Sequence, residues 1–343
     1  MSAIATRTLG GTASDVHVGC LGFGLLKFTW ADPTTLVPDE QAFECMRAAV
    51  ESGVTYWNSA TFYGTKHPLD NLALIGRFFA KYRQYASKVV LGVKGGFNAE
   101  KGLMSFDTSE ANLRKELREA HDALGGHKSI DVYGPARRDM SMSMEDATRT
   151  LAKLADEGLF SHIGLSEVNA DSIRRAHAVR PIATVEIEYS PFSLDIEQNG
   201  VLDTCKELGI AIIAYSPLSR GFFTGALHSR DELPQNDIRR RLDRFSEDNF
   251  QVNLQLTEEI NQLAQSTHVT AAQLTLAWEM HQYDKLIPIP GTTKRSNLEQ
   301  NIESARVDVP RETLDQFRQI ADAAGAKVRG HRYNAALGAT LFR

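Results

Sequence analysis

The sequence predicts a single (β/α)₈ barrel, and three observations lead there. Short β-branched runs alternate eight times with longer amphipathic segments, which is the signature of parallel β/α units. No low-complexity tract, short repeat or linker marks a second domain in the 343 residues, a length that suits one barrel. The place where a doubly wound open sheet wants a Gly-x-Gly-x-x-Gly turn instead reads Gly19-Cys-Leu-Gly-Phe-Gly-Leu-Leu-Lys27, with the wrong glycine order and no clear helix after it.

Taken in order, strands are expected at residues 16–20, 55–58, 88–93, 129–133, 162–165, 184–188, 211–215 and 286–289. Helical periodicity fills the intervals at 39–52, 71–82, 109–124, 143–157, 170–179 and 201–208, and a pair at 254–266 and 270–281 precedes the last strand. Ser109 and Thr270 read as N-caps, and Gly53 and Gly209 stand where a left-handed cap is wanted. The connection at about 216–253 has no strand pattern and is long enough to be a functional lid. A tail from about residue 323 carries Arg329, His331, Arg332 and Tyr333, of which Arg329, His331 and Tyr333 are expected to fold over the pocket.

Composition narrows the function classes. With 38 Lys and Arg against 43 Asp and Glu the net charge is −5, without a basic block, so nucleic acid is not an expected partner. No apolar run approaches the ~20 residues of a membrane span, and the N-terminal Met-Ser-Ala-Ile-Ala-Thr-Arg lacks a secretory pattern. Cys20, Cys45 and Cys205 are widely spaced and read as buried thiols in a reducing compartment, with no metal spacing. A cytoplasmic enzyme or binding protein without a metal is expected.

The most informative stretch is Thr55-Tyr-Trp-Asn-Ser-Ala-Thr-Phe-Tyr-Gly64, followed by Val89-Val-Leu-Gly-Val-Lys94. Tyr63 stands just beyond one strand and Lys94 closes the next, so both fall on the active face of a barrel. A phenol has an ordinary pKa near 10 and a lysine about 10.4. In a dry pocket the ammonium favours the phenolate and is expected to bring Tyr63 down toward the range of a general acid. A second signal is Pro288-Ile-Pro-Gly-Thr-Thr-Lys-Arg-Ser-Asn-Leu-Glu-Gln-Asn301, which sets glycine, threonines and two cations at the start of a short helix. Backbone N–H groups at such a start, with adjacent cations, suit a phosphate.

Together with Gly22-Phe-Gly24, Ile163-Gly-Leu-Ser-Glu-Val168, Glu188-Tyr-Ser-Pro191 and Ala214-Tyr-Ser-Pro-Leu-Ser-Arg-Gly221, these motifs resemble the aldo-keto reductases from about residue 7 to 325, and most of all the fungal pyridoxal reductases. The resemblance implies NADPH-dependent reduction of an aldehyde or ketone, with Tyr63 as proton donor, Lys94 as its activator and Asn58 beside them. It implies cofactor contacts from Ser166, Asn169 and Glu186 near the nicotinamide. Tyr215 would stack on the ring, and Ser216, Leu218, Ser219 and Gly221 would wrap the pyrophosphate. Gly291, Thr293, Lys294 and Ser296 belong to the 2′-phosphate site, and Gln300 and Asn301 to the adenine. Three positions depart from the family pattern: Asn58 stands for an aspartate, Ala136 for a histidine and Glu186 for a glutamine.

Asn58 cannot pair with Lys94 as an anion, and Ala136 cannot orient a carbonyl oxygen. Either a subgroup variation or a substrate that assists its own protonation must make up the difference, and pyridoxal, whose ring phenol adjoins the aldehyde, is the leading candidate for such a substrate. Arg137 or Arg138 is the candidate replacement electrophile. Trp30, Trp57, Phe62, Phe97 and Tyr189 are candidates for an aromatic substrate mouth, and His67 reads as a solvated loop residue. The other readings are a natural-product reductase of a larger aromatic carbonyl and a non-catalytic nicotinamide-binding subunit.

Overall fold

The computed structural model describes residues 3–98, 105–333 and 338–343. Eight parallel strands form the barrel: β3 (Phe23–Gly24), β4 (Tyr56–Ala60), β5 (Val90–Gly95), β6 (Val132–Pro135), β7 (His162–Ser166), β8 (Thr184–Glu188), β9 (Ala211–Tyr215) and β10 (Leu286–Pro288). They pair in sequence order from β3 to β10. The two ends of this sheet meet where Gly22 N–H donates to the Pro288 carbonyl at 2.9 Å and Gly24 N–H to the Pro290 carbonyl at 3.3 Å.

The strand expected at 16–20 is not a barrel strand. His17–Gly19 (β2) pairs antiparallel with Thr6–Thr8 (β1), and the hairpin covers the N-terminal mouth. Its Leu9, Ala13 and Val18 pack on the inward-facing Tyr56, Val132, Ala183, Ala211 and Ile213. Gly10 lies so close to the strand ends that a Cβ there would stand 2.5 Å from the Gly209 carbonyl oxygen. The first barrel strand is the two-residue Phe23–Gly24, within the glycine cluster.

Period-two alternation sets the contents of the barrel. Along β4, Tyr56 and Asn58 face inward, whereas Trp57 packs outward on Phe78 and Phe79, and Ser59 Oγ donates to Asn71 Oδ1 at 2.7 Å. Gly92, Gly134 and Gly164 leave room inside the barrel for long side chains from neighbouring strands, and all three line the interior cavity.

The outer layer comprises α1 (Asp39–Glu51), α2 (Asp70–Lys81), α3 (Glu110–Leu124), α4 (Met144–Asp156), α5 (Ala170–Val179), a short α6 (Asp195–Gln198), α7 (Val201–Leu208), α8 (Glu247–Gln255), α9 (Glu258–Ser266), α10 (Ala271–Met280), α11 (Arg295–Glu303) and α12 (Arg311–Lys327). Ser109 caps α3 through Asn112 N–H, and Thr270 forms a capping box with Gln273 at α10. Gly53 and Gly209 hold φ values of 88° and 66°, as a left-handed cap requires.

Two boundaries differ from expectation. The helix expected at 254–266 is divided, with α8 ending at Gln255 and α9 starting at Glu258. The tail begins later than residue 323, because Ala321 and Ala324 continue the buried face of α12 as far as Lys327. The 216–253 connection is a chain of short 3₁₀ turns leading into α8. Among the described residues, no helix is long and apolar enough to cross a membrane. The three cysteines are buried free thiols.

Candidate active site

Four elements meet at the C-terminal end of the barrel interior. Tyr63 follows β4, its carbonyl accepting from Thr29 Oγ1 at 2.7 Å and its side chain 8% exposed. Lys94 Nζ, from β5, lies 5.1 Å from the centre of the Tyr63 ring. The same ammonium donates to Asn58 Oδ1 at 2.8 Å and reaches Glu186 Oε1 at 2.8 Å and Oε2 at 3.0 Å. Asn58 Nδ2 closes the ring of contacts by donating to Glu186 Oε2 at 2.7 Å. The alternation that turns Asn58 inward also turns Lys94 inward from β5 and Glu186 inward from β8. They line a small cavity inside the barrel.

The electrostatics follow from this geometry. Burial works against the Lys94 charge, but Glu186 and then Tyr63 outweigh it and leave the lysine pKa above its ordinary value. Tyr63 moves the opposite way from expectation. Burial raises its pKa, Lys94 pulls it down and Glu186 raises it again, so the phenol stays above its usual value. Lys94 was expected to dominate, but the carboxylate beside it cancels part of its field. The outcome is a phenol that keeps its proton at neutral pH and therefore has one to give.

Behind this layer Glu116, on α3, is buried as well. It accepts from Thr61 Oγ1, from Tyr133 OH at 2.6 Å and from Gly96 N–H at 2.6 Å, tying the loops after β4 and β5 to β6. Burial pushes its pKa up.

Of the aromatic candidates, Trp30, Phe62 and Phe97 come together with Tyr63. Ring centres are 5.5 Å from Trp30 to Tyr63, 6.0 Å from Trp30 to Phe62 and 5.8 Å from Phe62 to Phe97. Trp57 does not join them. With Asn58 facing inward it must face outward, where it is buried under α2 and its Nε1 donates to the Val54 carbonyl at 2.9 Å. Tyr189 likewise stacks on Trp278, away from the mouth. Ala136 is buried, and Arg137 beside it feels Tyr215, Tyr333, Glu167 and Glu186, although its Nη1 donates to the Ala136 carbonyl at 2.6 Å. Arg138 turns toward Ser172, and His67 is exposed.

The expected cofactor residues divide similarly. Ser166 Oγ is buried in the cavity wall with no hydrogen-bond partner among the described residues. Glu186 spends both oxygens on Lys94 and Asn58, so it is not free for a carboxamide. Asn169 faces away from the cavity, capping α5 through Ser172 N–H and donating to the Phe342 carbonyl at 3.3 Å. Tyr215 OH donates to Glu167 Oε1 at 2.7 Å and contacts Tyr333 OH at 3.0 Å. After it, Ser216, Ser219, Arg220 and Gly221 all hold positive φ, an uncommon backbone state for the three that are not glycine. Ser219 Oγ is already engaged with Ser190 Oγ at 2.8 Å, while Leu218 and Gly221 stay in the turn. Across the barrel mouth, Lys294 and Ser296 are exposed at the open start of α11. Gly291 packs against Gly24, and the Thr293 carbonyl accepts from Gln41 Nε2 at 2.7 Å. Gln300 is half-buried and Asn301 buried on α11.

The structure adds residues that the sequence did not single out. Arg332 of the tail, buried, pairs with the fully buried Glu167 at 3.0 Å and lies 3.9 Å from Glu188. Glu167 also accepts from Glu188 N–H at 3.0 Å. The Phe342 N–H donates to the Glu167 carbonyl at 2.8 Å, and Asn253 bonds Arg329 in both directions at 2.8 Å. The tail is thereby laced to the 216–253 connection and to the ends of β7 and β8. Glu167 lies in the Ile163–Val168 motif, but its partner is 165 residues away.

A buried Tyr–Lys pair at the C-terminal end of a (β/α)₈ barrel defines a class of carbonyl-reducing enzymes, and the comparisons with known proteins agree. The Aldo/keto reductase family model matches residues 20–322, and the chain belongs to that family. It is 37% identical over 329 residues to Probable pyridoxal reductase 2 of Schizosaccharomyces pombe, covering 94% of this chain and 97% of that protein. It is 35% identical to aldo-keto reductase yakc of the same organism, whose name carries NADP(+), covering 99% of this chain and 97% of that one. Among solved structures, a glycerol dehydrogenase of Gluconobacter oxydans superposes with a TM-score of 0.78 at 21% identity, covering 93% of this chain and 95% of that one. A thermostable aldo-keto reductase bound to the inhibitor epalrestat gives 0.70 at 19%, covering 92% and 100%. The protein is an oxidoreductase of carbonyl substrates and works with a nicotinamide cofactor.

Proposed function

We propose that the protein reduces aldehydes or ketones with NADPH, and that conversion of pyridoxal to pyridoxine is its leading reaction. The observation that carries this reading is the buried Tyr63–Lys94 contact, with a phenol that keeps its proton beside the lysine. The 37% identity to a protein named as a pyridoxal reductase supports the choice of substrate.

The bound cofactor supplies hydride to the carbonyl carbon. Tyr63 donates its proton to the developing alkoxide, and Lys94 stabilises the phenolate left behind. Trp30, Phe62 and Phe97 exclude water and receive a planar ring. Arg137 faces the same space and offers a fixed positive charge where Ala136 provides no donor. The residues present fit a nicotinamide dinucleotide. The Ser166 hydroxyl, orphaned among the described residues, is a buried donor and acceptor suited to a carboxamide, and Tyr215 closes β9, two strands along. The turn that carries Ser216, Leu218, Ser219 and Gly221, left-handed at all but Leu218 of these, is assigned to the pyrophosphate. Lys294, with Gly291, Thr293 and Ser296 at the open helix start, is assigned to the 2′-phosphate, and Gln300 and Asn301 to the adenine.

The test is NADPH oxidation, followed by absorbance, against pyridoxal and a panel of simple benzaldehydes. Pyridoxal should be preferred in kcat/KM. Equal or better turnover of benzaldehydes would remove pyridoxal from the account while leaving carbonyl reduction in place.

A further inference from the structure

We infer that Glu186 is the counter-ion that positions Lys94 against Tyr63, a carboxylate supplied from β8 across the barrel interior, with Asn58 as the neutral bridge between them. This deepens the proposed reduction and rests on it.

Hydrogen-bond valence carries the argument. An ammonium has three N–H donors. Those of Lys94 reach Asn58 Oδ1 at 2.8 Å, the Glu186 carboxylate at 2.8–3.0 Å and the Ser59 carbonyl at 3.5 Å. The two short contacts hold the ammonium beside the Tyr63 ring, 5.1 Å from its centre. Asn58 fits its place because an amide has one end of each kind. Its Oδ1 accepts from Lys94, and its Nδ2 donates to Glu186 Oε2 at 2.7 Å. An aspartate at 58 would put a second carboxylate against that oxygen, and like charges at this distance repel strongly in a buried site. Positions 58 and 186 are therefore interlocked: one carboxylate and one amide satisfy the lysine, while two carboxylates or two amides do not. A carboxylate 2.8 Å from the ammonium is also a better counter-charge than any neighbouring dipole.

Three variants test this: Glu186→Gln, Asn58→Asp and the exchange Asn58→Asp with Glu186→Gln. Each single change should lower kcat roughly tenfold or more, on the scale of a lost proton-transfer aid. It should change NADPH affinity little. In E186Q the alkaline limb of the kcat profile should move to lower pH, since Lys94 loses its counter-charge. Besides Glu186, Tyr63 faces that lysine, Tyr56 of β4 and Arg137 after β6 act on Glu186, and Tyr333 of the tail acts on Tyr63; all four are retained in the variants. The exchange should recover kcat and the wild-type profile, because it restores one carboxylate and one amide.

Wild-type kcat and pH profile in E186Q would overturn the inference. So would weaker NADPH binding at unchanged kcat, which would make Glu186 a cofactor contact, or an exchange variant no better than the singles. Thermal unfolding gives an arm independent of turnover. The exchange should regain the Tm lost in E186Q, and failure to regain it would overturn the pairing. If the wild type reduced no carbonyl with NADPH, the proposed function would fall while this arm still decided the pairing. If the singles do not fold, a folded exchange variant supports the inference and an unfolded one overturns it.

Discussion

Glu186 of β8 and Lys94 of β5 form a buried ion pair at 2.8 Å, although two strands of the barrel wall separate them along the sheet. Removing one partner of such a pair leaves an uncompensated charge in a site that water hardly reaches, which costs far more than the pair contributes as a unit. Burial is the main cause of the raised Tyr63 pKa, and Glu186 adds to it by partly cancelling the field that Lys94 applies to the phenol.

A second buried pair ties the tail to the site. Arg332→Ala removes the guanidinium from Glu167, which is fully buried, and leaves that carboxylate with Tyr215 OH and one backbone N–H. The expected loss is about 3–5 kcal/mol of stability, read as a lower Tm by scanning calorimetry. An unchanged Tm would mean that the tail contributes nothing to the folded barrel.

Cofactor selectivity is assigned to the start of α11. Lys294→Ala should weaken NADPH binding by about tenfold while leaving NADH binding as it was, because only the former carries the 2′-phosphate. Fluorescence titration with both dinucleotides checks this. Equal loss for the two would move the lysine's role away from that phosphate.

Glu279 offers a pH prediction. It lies fully buried on α10, neither carboxylate oxygen has a partner among the described residues, and burial raises its pKa well above the usual 4.5. The folded protein thus holds this proton at pH values where the unfolded chain has released it. Its contribution to stability is complete below about 4.5 and declines as pH rises toward the raised folded value. Glu279→Gln should therefore be more stable than wild type near neutral pH, with a smaller fall in Tm between mild acid and neutral. Parallel Tm profiles for the two proteins would contradict this.

Much of the barrel was legible because its strands are regular. Seven of the eight expected runs overlap barrel strands, since β-branched segments between amphipathic helices have few other ways to pack. The first was misread because β3 is only Phe23–Gly24, too short for any hydrophobic pattern, while the stronger run at 16–20 belongs to the hairpin over the barrel floor. Trp57 could have been excluded from sequence: if Asn58 faces inward, its neighbour faces α2. Asn58 and Glu186 were visible as separate departures from the family pattern, but their joint meaning was not. It depends on which side chains meet across three strands, and no local periodicity encodes that. The Glu167–Arg332 contact is hidden for the same reason, with 165 residues between its partners.

The central claim is that Tyr63 gives the proton in a nicotinamide-dependent carbonyl reduction. The most direct measurement compares wild type and Tyr63→Phe for pyridoxal-dependent NADPH oxidation alongside NADPH affinity. The account predicts turnover in the wild type, a loss of roughly 10²-fold or more in the variant, and NADPH binding within a few tenths of a kcal/mol. Turnover that survives the loss of the hydroxyl, or cofactor binding that disappears with it, would contradict the account.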